Sequence, residues 1–224
     1  MMRETFRDRR EAGRDLADRM TGLAGRPDVL VLALPRGGVP VGYEVARKLG
    51  APLDVFLVRK LGVPGQPELA FGAIASGGVR LLNRDVVQGL RIPPEEVEAV
   101  AAEEGEELAR RERAYRDDRP PPDVRGKTAI LVDDGLATGA SMRAAVAALR
   151  GLDPARIVVA VPVAAPSVCE AFRRIVDEVV CARTPDPFHA VGLWYHDFSQ
   201  TSDAEVRELL DRAASEHEAP SIPN

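Results

Sequence analysis

Two adjacent carboxylates, Asp133 and Asp134, stand between an apolar run and a small, hydroxyl-bearing turn. The run, Thr128 to Val132, reads as a buried parallel strand. The turn, Gly135 to Ser141, brings backbone N–H groups, the hydroxyls of Thr138 and Ser141, and the positive end of a helix predicted over Ser141–Arg150. Those groups make a cradle for an anion such as phosphate. Carboxylates pressed against a phosphate would repel it, but they suit hydroxyls elsewhere on the same ligand. A sugar phosphate meets both demands.

A second anion loop lies upstream. Leu34-Pro35-Arg36-Gly37-Gly38-Val39-Pro40 closes the first apolar strand, Val29–Leu34, and opens a helix over Val39–Leu49 that Gly50 ends. Gly37 and Gly38 allow the backbone to approach a ligand closely. Arg36 adds a fixed cation suited to phosphate oxygens. Arg59 and Lys60 close a second predicted strand, Leu53–Val58. The glycine-rich stretch after Gly62 reads as a loop with a small hairpin, with Ala70–Ala75 and Val79–Leu82 as its strands.

These residues must be positioned by a larger frame. An amphipathic helix is expected over Arg3–Thr21, a long one over Pro94–Tyr115, and a stiff proline connector over 117–123. Strands Arg156–Val161 and Glu178–Cys181 follow, with a helix over Pro166–Val176 between them. A last helix spans Asp203–Ala214, and 216–224 is expected to fray. Alternating strands and helices predict an α/β fold with a mostly parallel, doubly wound sheet. In such sheets ligands bind beyond the carboxyl ends of the strands, where both loops fall.

Composition narrows the function classes. The chain has 224 residues, of which 45% are hydrophobic, enough for one substantial core. It has no run of eighteen apolar residues, and residues 1–14 lack an apolar signal core, so a cytoplasmic protein without a membrane span is expected. A net charge of −5 with no long basic run disfavours nonspecific nucleic-acid binding. Cys169 and Cys181 lack CxxC spacing and read as buried or inert thiols rather than a disulfide or zinc site. No GxGxxG or P-loop pattern supports another class of nucleotide-binding α/β protein.

Residues 129–141 resemble the 5-phosphoribosyl-1-diphosphate (PRPP) signature of the type I phosphoribosyltransferases: four apolar residues, two acids, then small residues ending Thr138-Gly139-Ala140-Ser141. The resemblance implies that Asp133 and Asp134 bind the ribose hydroxyls. Gly135 and Ala137, Thr138, Gly139, Ala140 and Ser141 would then hold the ribose and 5′-phosphate. It implies that Pro35, Arg36, Gly37, Gly38, Arg59 and Lys60 bind the diphosphate. The catalytic set would be Asp133, Asp134, Arg36 and Lys60, with Mg²⁺ as cofactor brought by PRPP. Asp197 is the one side chain considered for that ion. Gln66 to Ile74 would form part of a lid that excludes water.

The segment Phe188–Phe198 holds the sole Trp in a chain with 4% aromatics. Val191-Gly192 and Asp197-Phe198 resemble the hood of purine-salvage members, which implies base stacking by Trp194 or Tyr195. One extra residue in that segment leaves the choice between them open. No lysine follows Lys127 to read a purine oxygen. The whole chain is similar to a stand-alone branch of the family, through Pro35–Gly38, Pro67–Ile74 and Trp194–Phe198.

The resemblance therefore implies one unit over 1–224. Its core would be 28–60 and 124–182, its insertion 61–123, and its hood 183–202 plus the last helix. It implies transfer of ribose 5-phosphate from PRPP to a nitrogenous base, with diphosphate released. The partners would be PRPP and a nucleobase-like acceptor, and a homodimer is common in the family. The alternative is a PRPP-binding regulator without turnover; no helix-turn-helix extension supports it.

Overall fold

The computed structural model describes residues 5–116 and 119–218. Parts of the predicted first helix, the 117–123 connector and the 216–224 tail lie outside these residues.

Five parallel strands form the main sheet: β1 (Val29–Ala33), β2 (Leu53–Val55), β6 (Thr128–Val132), β7 (Arg156–Val163) and β8 (Glu178–Arg183), in the order β2-β1-β6-β7-β8. Every residue of β1 and β6 is buried, as expected for strands covered on both faces. Alternate residues serve opposite layers. Val31, Ile130, Val132 and Val158 pack under α1 (Arg9–Asp18) and α2 (Gly38–Leu49). Leu32, Leu131, Val159 and Val161 pack under α5 (Ala140–Arg150) and α6 (Pro166–Arg173). Burial of these apolar faces contributes most of the driving force that holds helices and strands together.

The second predicted strand is cut short. It ends at Val55, and Phe56 and Leu57 form a buried turn. From Val58 the chain enters a separate antiparallel sheet, β3 (Val58–Val63), β4 (Gln66–Ala75) and β5 (Val79–Leu82). Arg59 and Lys60 thus lie on β3, not at the end of a core strand. The stretch expected to form part of a loop lid, 66–74, is strand β4. Gly72 sits there because a side chain on it would meet the Leu81 carbonyl oxygen at 2.3 Å. A short helix not foreseen in the sequence, α3 (Arg84–Gly89), and the long α4 (Pro94–Arg116) complete this insertion. It has its own small core of Leu61, Phe71, Ile92, Val97 and Ala101. The last helix, α7 (Asp203–Glu218), packs with α4 and α2 through Tyr43, Tyr115 and Leu209.

The cysteine expectation is corrected in part. Cys169 is buried, but it is joined to Cys181 by a disulfide. The β7–α6–β8 crossover folds α6 back onto β8 and brings the two residues together. Motif spacing along the chain does not register such a return.

Candidate active site

β1 and β6 are neighbours in register, Ala33 opposite Val132, and the Leu34 N–H donates to the Val132 carbonyl at 2.8 Å. From this pair the chain winds outward in opposite directions, to β2 on one side and to β7 and β8 on the other. Such a switch point leaves a crevice beyond the strand ends. Both sequence-predicted loops open into it.

The loops meet at the acid pair. A side chain on Gly37 would lie 2.1 Å from Asp134 Oδ2. One on Gly38 would lie 2.7 Å from the Val132 carbonyl oxygen and 3.0 Å from the Asp133 Cα. The glycines are therefore required by close approach, since Gly37 itself has an ordinary φ of −58°. The Pro35–Arg36 peptide bond is cis. Arg36 is partly exposed and its guanidinium stands 3.8 Å from Asp203, at the start of α7.

Asp133 accepts the Asp134 backbone N–H at 2.8 Å. Burial holds its carboxyl well above the usual carboxylate range, and the neighbouring Asp134 charge adds to the rise. Burial also raises Asp134, while Arg9 opposes that rise. Arg9 Nε donates to Asp134 Oδ2 at 2.8 Å, and the two side chains are only 11% and 15% exposed.

The turn over Ala137–Ser141 is open. Ala137, Thr138, Ala140 and Ser141 are exposed, at the N-terminus of α5. Gly139 carries a φ of 71°, and a side chain there would meet the Phe172 ring at 2.6 Å. Phe172 on α6 thus backs the turn from below. Gly135 plays a related part toward the 183–202 segment, because a side chain on it would meet Val191 at 2.6 Å.

Trp194 and Tyr195 are buried in a cluster with Phe6, Ala12 and Val163. Tyr195 donates its hydroxyl to the Asp134 carbonyl at 2.5 Å, and burial raises its pKa. Phe198 and Leu193 are the exposed apolar side chains of this segment, 38% and 53% exposed. Asp197 is occupied at a local turn, accepting the Ser199 N–H at 2.9 Å. Arg59 is paired with Glu104 of α4, while Lys60 is exposed. An open groove of about 700 Å³ runs along that acidic helix face beside Arg59. The structure therefore brings Pro35–Gly38, Asp133–Ser141 and Tyr195 together, and assigns Arg59 and Lys60 to the insertion.

Arg9 is the site residue that the sequence reading missed. The available signal was Asp8 with Glu11 three residues on, a helix start. Asp8 does cap α1, accepting the Glu11 N–H at 2.7 Å, so Arg9 is the first helical residue rather than one in mid-helix.

Residues 7–193 match the family model for the phosphoribosyl transferase domain, and the chain belongs to that family. Two strains of Mycobacterium tuberculosis each hold a relative named "Putative phosphoribosyl transferase", 50% identical over 208 residues, covering 93% of this chain and 47% of the relative. The chain thus spans about half the length of the curated relatives it matches. The crystal structure of TT1426 from Thermus thermophilus is 45% identical, with a TM-score of 0.80 over 92% of this chain and 97% of that one. A Chloroflexus aurantiacus relative, "Bifunctional protein PyrR", is 35% identical over 129 residues, 56% of this chain and 65% of its own.

Proposed function

We propose that the protein transfers ribose 5-phosphate from PRPP to a nitrogenous base and releases diphosphate. One observation carries this reading: two anion loops and an acid pair converge at the β1/β6 switch point, with glycines clearing the space between them. Asp133 and Asp134 would accept hydrogen bonds from the ribose hydroxyls. The Ala137–Ser141 turn would hold the 5′-phosphate with its N–H groups. The Pro35–Gly38 loop would hold the diphosphate, with Arg36 swinging from Asp203. The bond from ribose C1 to the diphosphate oxygen breaks as the acceptor nitrogen forms its bond to C1. The protein's contribution is positioning and stabilisation of separating charge. Asp134 would balance positive charge on the sugar or take the acceptor's proton.

Among the described residues no group of three or more His, Cys, Asp or Glu is arranged to hold a metal ion. A Mg²⁺ brought by PRPP would be held chiefly by the ligand's own oxygens, with one or two carboxylates beside them. Such an ion would neutralise charge on the departing diphosphate. We read core, insertion and hood as one working unit. With Trp194 and Tyr195 buried, Leu193 and the exposed part of the Phe198 ring, whose contacts include Arg9 and Tyr195, would meet an acceptor base.

No helix among the described residues is long and apolar enough to cross a membrane. On this reading the protein would work in the cytoplasm, a compartment where a disulfide such as Cys169–Cys181 is uncommon. Immunodetection after cell fractionation tests that placement; recovery in a membrane or secreted fraction counts against it.

A second reading, PRPP binding without turnover, is favoured by the Arg59–Glu104 pair, which leaves Arg59 committed elsewhere. Calorimetric titration with PRPP and Mg²⁺ tests both readings at once. Saturable binding that is lost in D133N/D134N is expected, and absence of binding to the unaltered protein sinks both.

A further inference from the structure

Arg9 lies outside the PRPP motif yet reaches three parts of the site. Its Nε holds Asp134 Oδ2 at 2.8 Å. Its Nη1 donates to the Ser199 carbonyl at 2.6 Å. Its guanidinium lies over the Phe198 ring, 4.0 Å from the centroid. A side chain on Gly37 would come within 3.3 Å of its Nε, so it also borders the loop after β1. One planar cation thus contacts the acid pair, the second anion loop and the aromatic segment.

Its placement is built into the chain. The segment before α1 pairs with the 194–197 backbone: Phe6 N–H to the Trp194 carbonyl, His196 N–H to the Phe6 carbonyl, and Asp197 N–H to the Arg7 carbonyl, at 2.8, 2.8 and 2.9 Å. Phe6 is fully buried against Tyr195. Asp8 then starts the helix, which leaves Arg9 in its first turn facing the crevice. Alanine or lysine could not reproduce this set, because the fork makes two bonds in fixed directions while its face lies on a ring.

We propose that Arg9 is the positioning residue of this site. It holds Asp134 in one orientation, with Oδ2 occupied and Oδ1 left for the ligand, and ties that carboxylate to the Phe198–Ser199 segment. This rests on the PRPP reading above for the identity of the ligand, but the positioning itself does not. Bare, the two carboxylates would present two negative charges to an anionic ligand; with Arg9 in place they present a net of one. A cation already buried beside the acids reduces the repulsion without a rearrangement at the time of binding.

The charged and titratable groups facing this pair are known. Asp133 lies beside Asp134 on the same loop, and Tyr195 donates to the Asp134 carbonyl from the opposite side. Asp8, Arg10, Asp197 and Glu205 share with Arg9 a cavity of about 200 Å³ on its outer side. Loss of the cation favours the protonated carboxyl, so ligand binding in the variant must fail at a higher pH than in the parent protein.

Two measurements on the full chain, with R9M and R9K beside the parent, test this. The first is a carbon-13 NMR titration of the aspartate carboxyls, which needs no ligand. Asp134 is expected to titrate at higher pH in R9M and close to the parent value in R9K. The second is PRPP binding with Mg²⁺ across pH. R9M is expected to weaken binding by roughly 10- to 100-fold, with its acid limb moved upward. R9K should restore the acid limb but not the full affinity. Should R9M fail to fold, R9K alone decides, since it keeps the charge and loses the fork; parent-like affinity in R9K overturns the proposal. An unmoved Asp134 titration in folded R9M also overturns it. Failure of the parent to bind PRPP, with the titration shifted as expected, overturns the PRPP reading and leaves the positioning role standing.

Discussion

The carboxylate side of the crevice and the insertion beside it are built on different ground. Asp133 and Asp134 rise from β6, the middle strand of the main sheet, with buried neighbours on both faces. Their surroundings are filled: a glycine on one side, Arg9 on another, Tyr195 behind. Arg59 and Lys60 instead sit on a three-stranded sheet with a core of its own, and Arg59 is paired with Glu104 of the same insertion. The first region is assembled before any ligand arrives. In the second, Arg59 must give up its pair with Glu104 before it can contribute a cation. The difference teaches that the acid pair and the insertion's cations are held independently, so substitutions in one region should leave the other in place.

The sharpest way to break the comparison is to remove both acids. D133N/D134N is expected to lower transfer by at least ~10³-fold, since it deletes the groups proposed to hold the reacting sugar. Residual activity near the parent level, in a steady-state assay of diphosphate release, contradicts the account.

Next in size is G37A. The added methyl group would fall 2.1 Å from Asp134 Oδ2, so the loop or the acid must shift. Destabilisation of about 1–3 kcal/mol is expected, with loss of PRPP affinity. The contrasting change is G65A in the insertion turn, where φ is 76° but nothing lies within 4 Å. It should cost about 1–2 kcal/mol through backbone strain alone and leave PRPP affinity intact. Chemical denaturation and calorimetry measure the pair; equal effects on affinity would erase the distinction between the regions.

D133N alone should separate function from stability. Burial raises the folded pKa of Asp133 above its unfolded value. Its favourable contribution is therefore present in full below the unfolded pKa and is lost as pH rises through the folded one. Asparagine, which keeps the acceptor for the Asp134 N–H, is expected to raise the melting temperature at neutral pH by a few degrees, about 1 kcal/mol. The gain should vanish at acidic pH, while transfer is lost. A lower melting temperature at neutral pH contradicts this.

The smallest effect is expected from E104Q. It frees Arg59 from a partly exposed pair and should change stability by less than about 1 kcal/mol. If Arg59 serves the diphosphate, PRPP affinity rises a few-fold at low salt and the gain fades as salt is added. No change at any salt removes Arg59 from the site.

Much of the carboxylate side was legible in the sequence, and much of the insertion was not. Thr128–Val132 is a run of small and apolar residues stopped by two acids, so its bounds as a strand were unambiguous. Gly50 marked the end of α2 because its φ of 65° is costly for other residues. Phe56 and Leu57 misled, because a buried turn needs the same apolar residues as the strand it follows. The hairpin strands Ala70–Ala75 and Val79–Leu82 were legible and stand within β4 and as β5, but Gly65 hid the fact that β4 begins already at Gln66, straight after a tight turn. Arg9 was hidden among the many charges near the N-terminus. Which of them is buried depends on a backbone pairing between Phe6 and Tyr195 across the chain, which local pattern does not encode.

The most direct test of the central claim is diphosphate release from PRPP and Mg²⁺ against a panel of purine, pyrimidine and pyridine bases, with D133N/D134N run in parallel. The account predicts release that depends on a particular base and disappears in the double variant. Release that is indifferent to the two aspartates, or no release with any base, would contradict it.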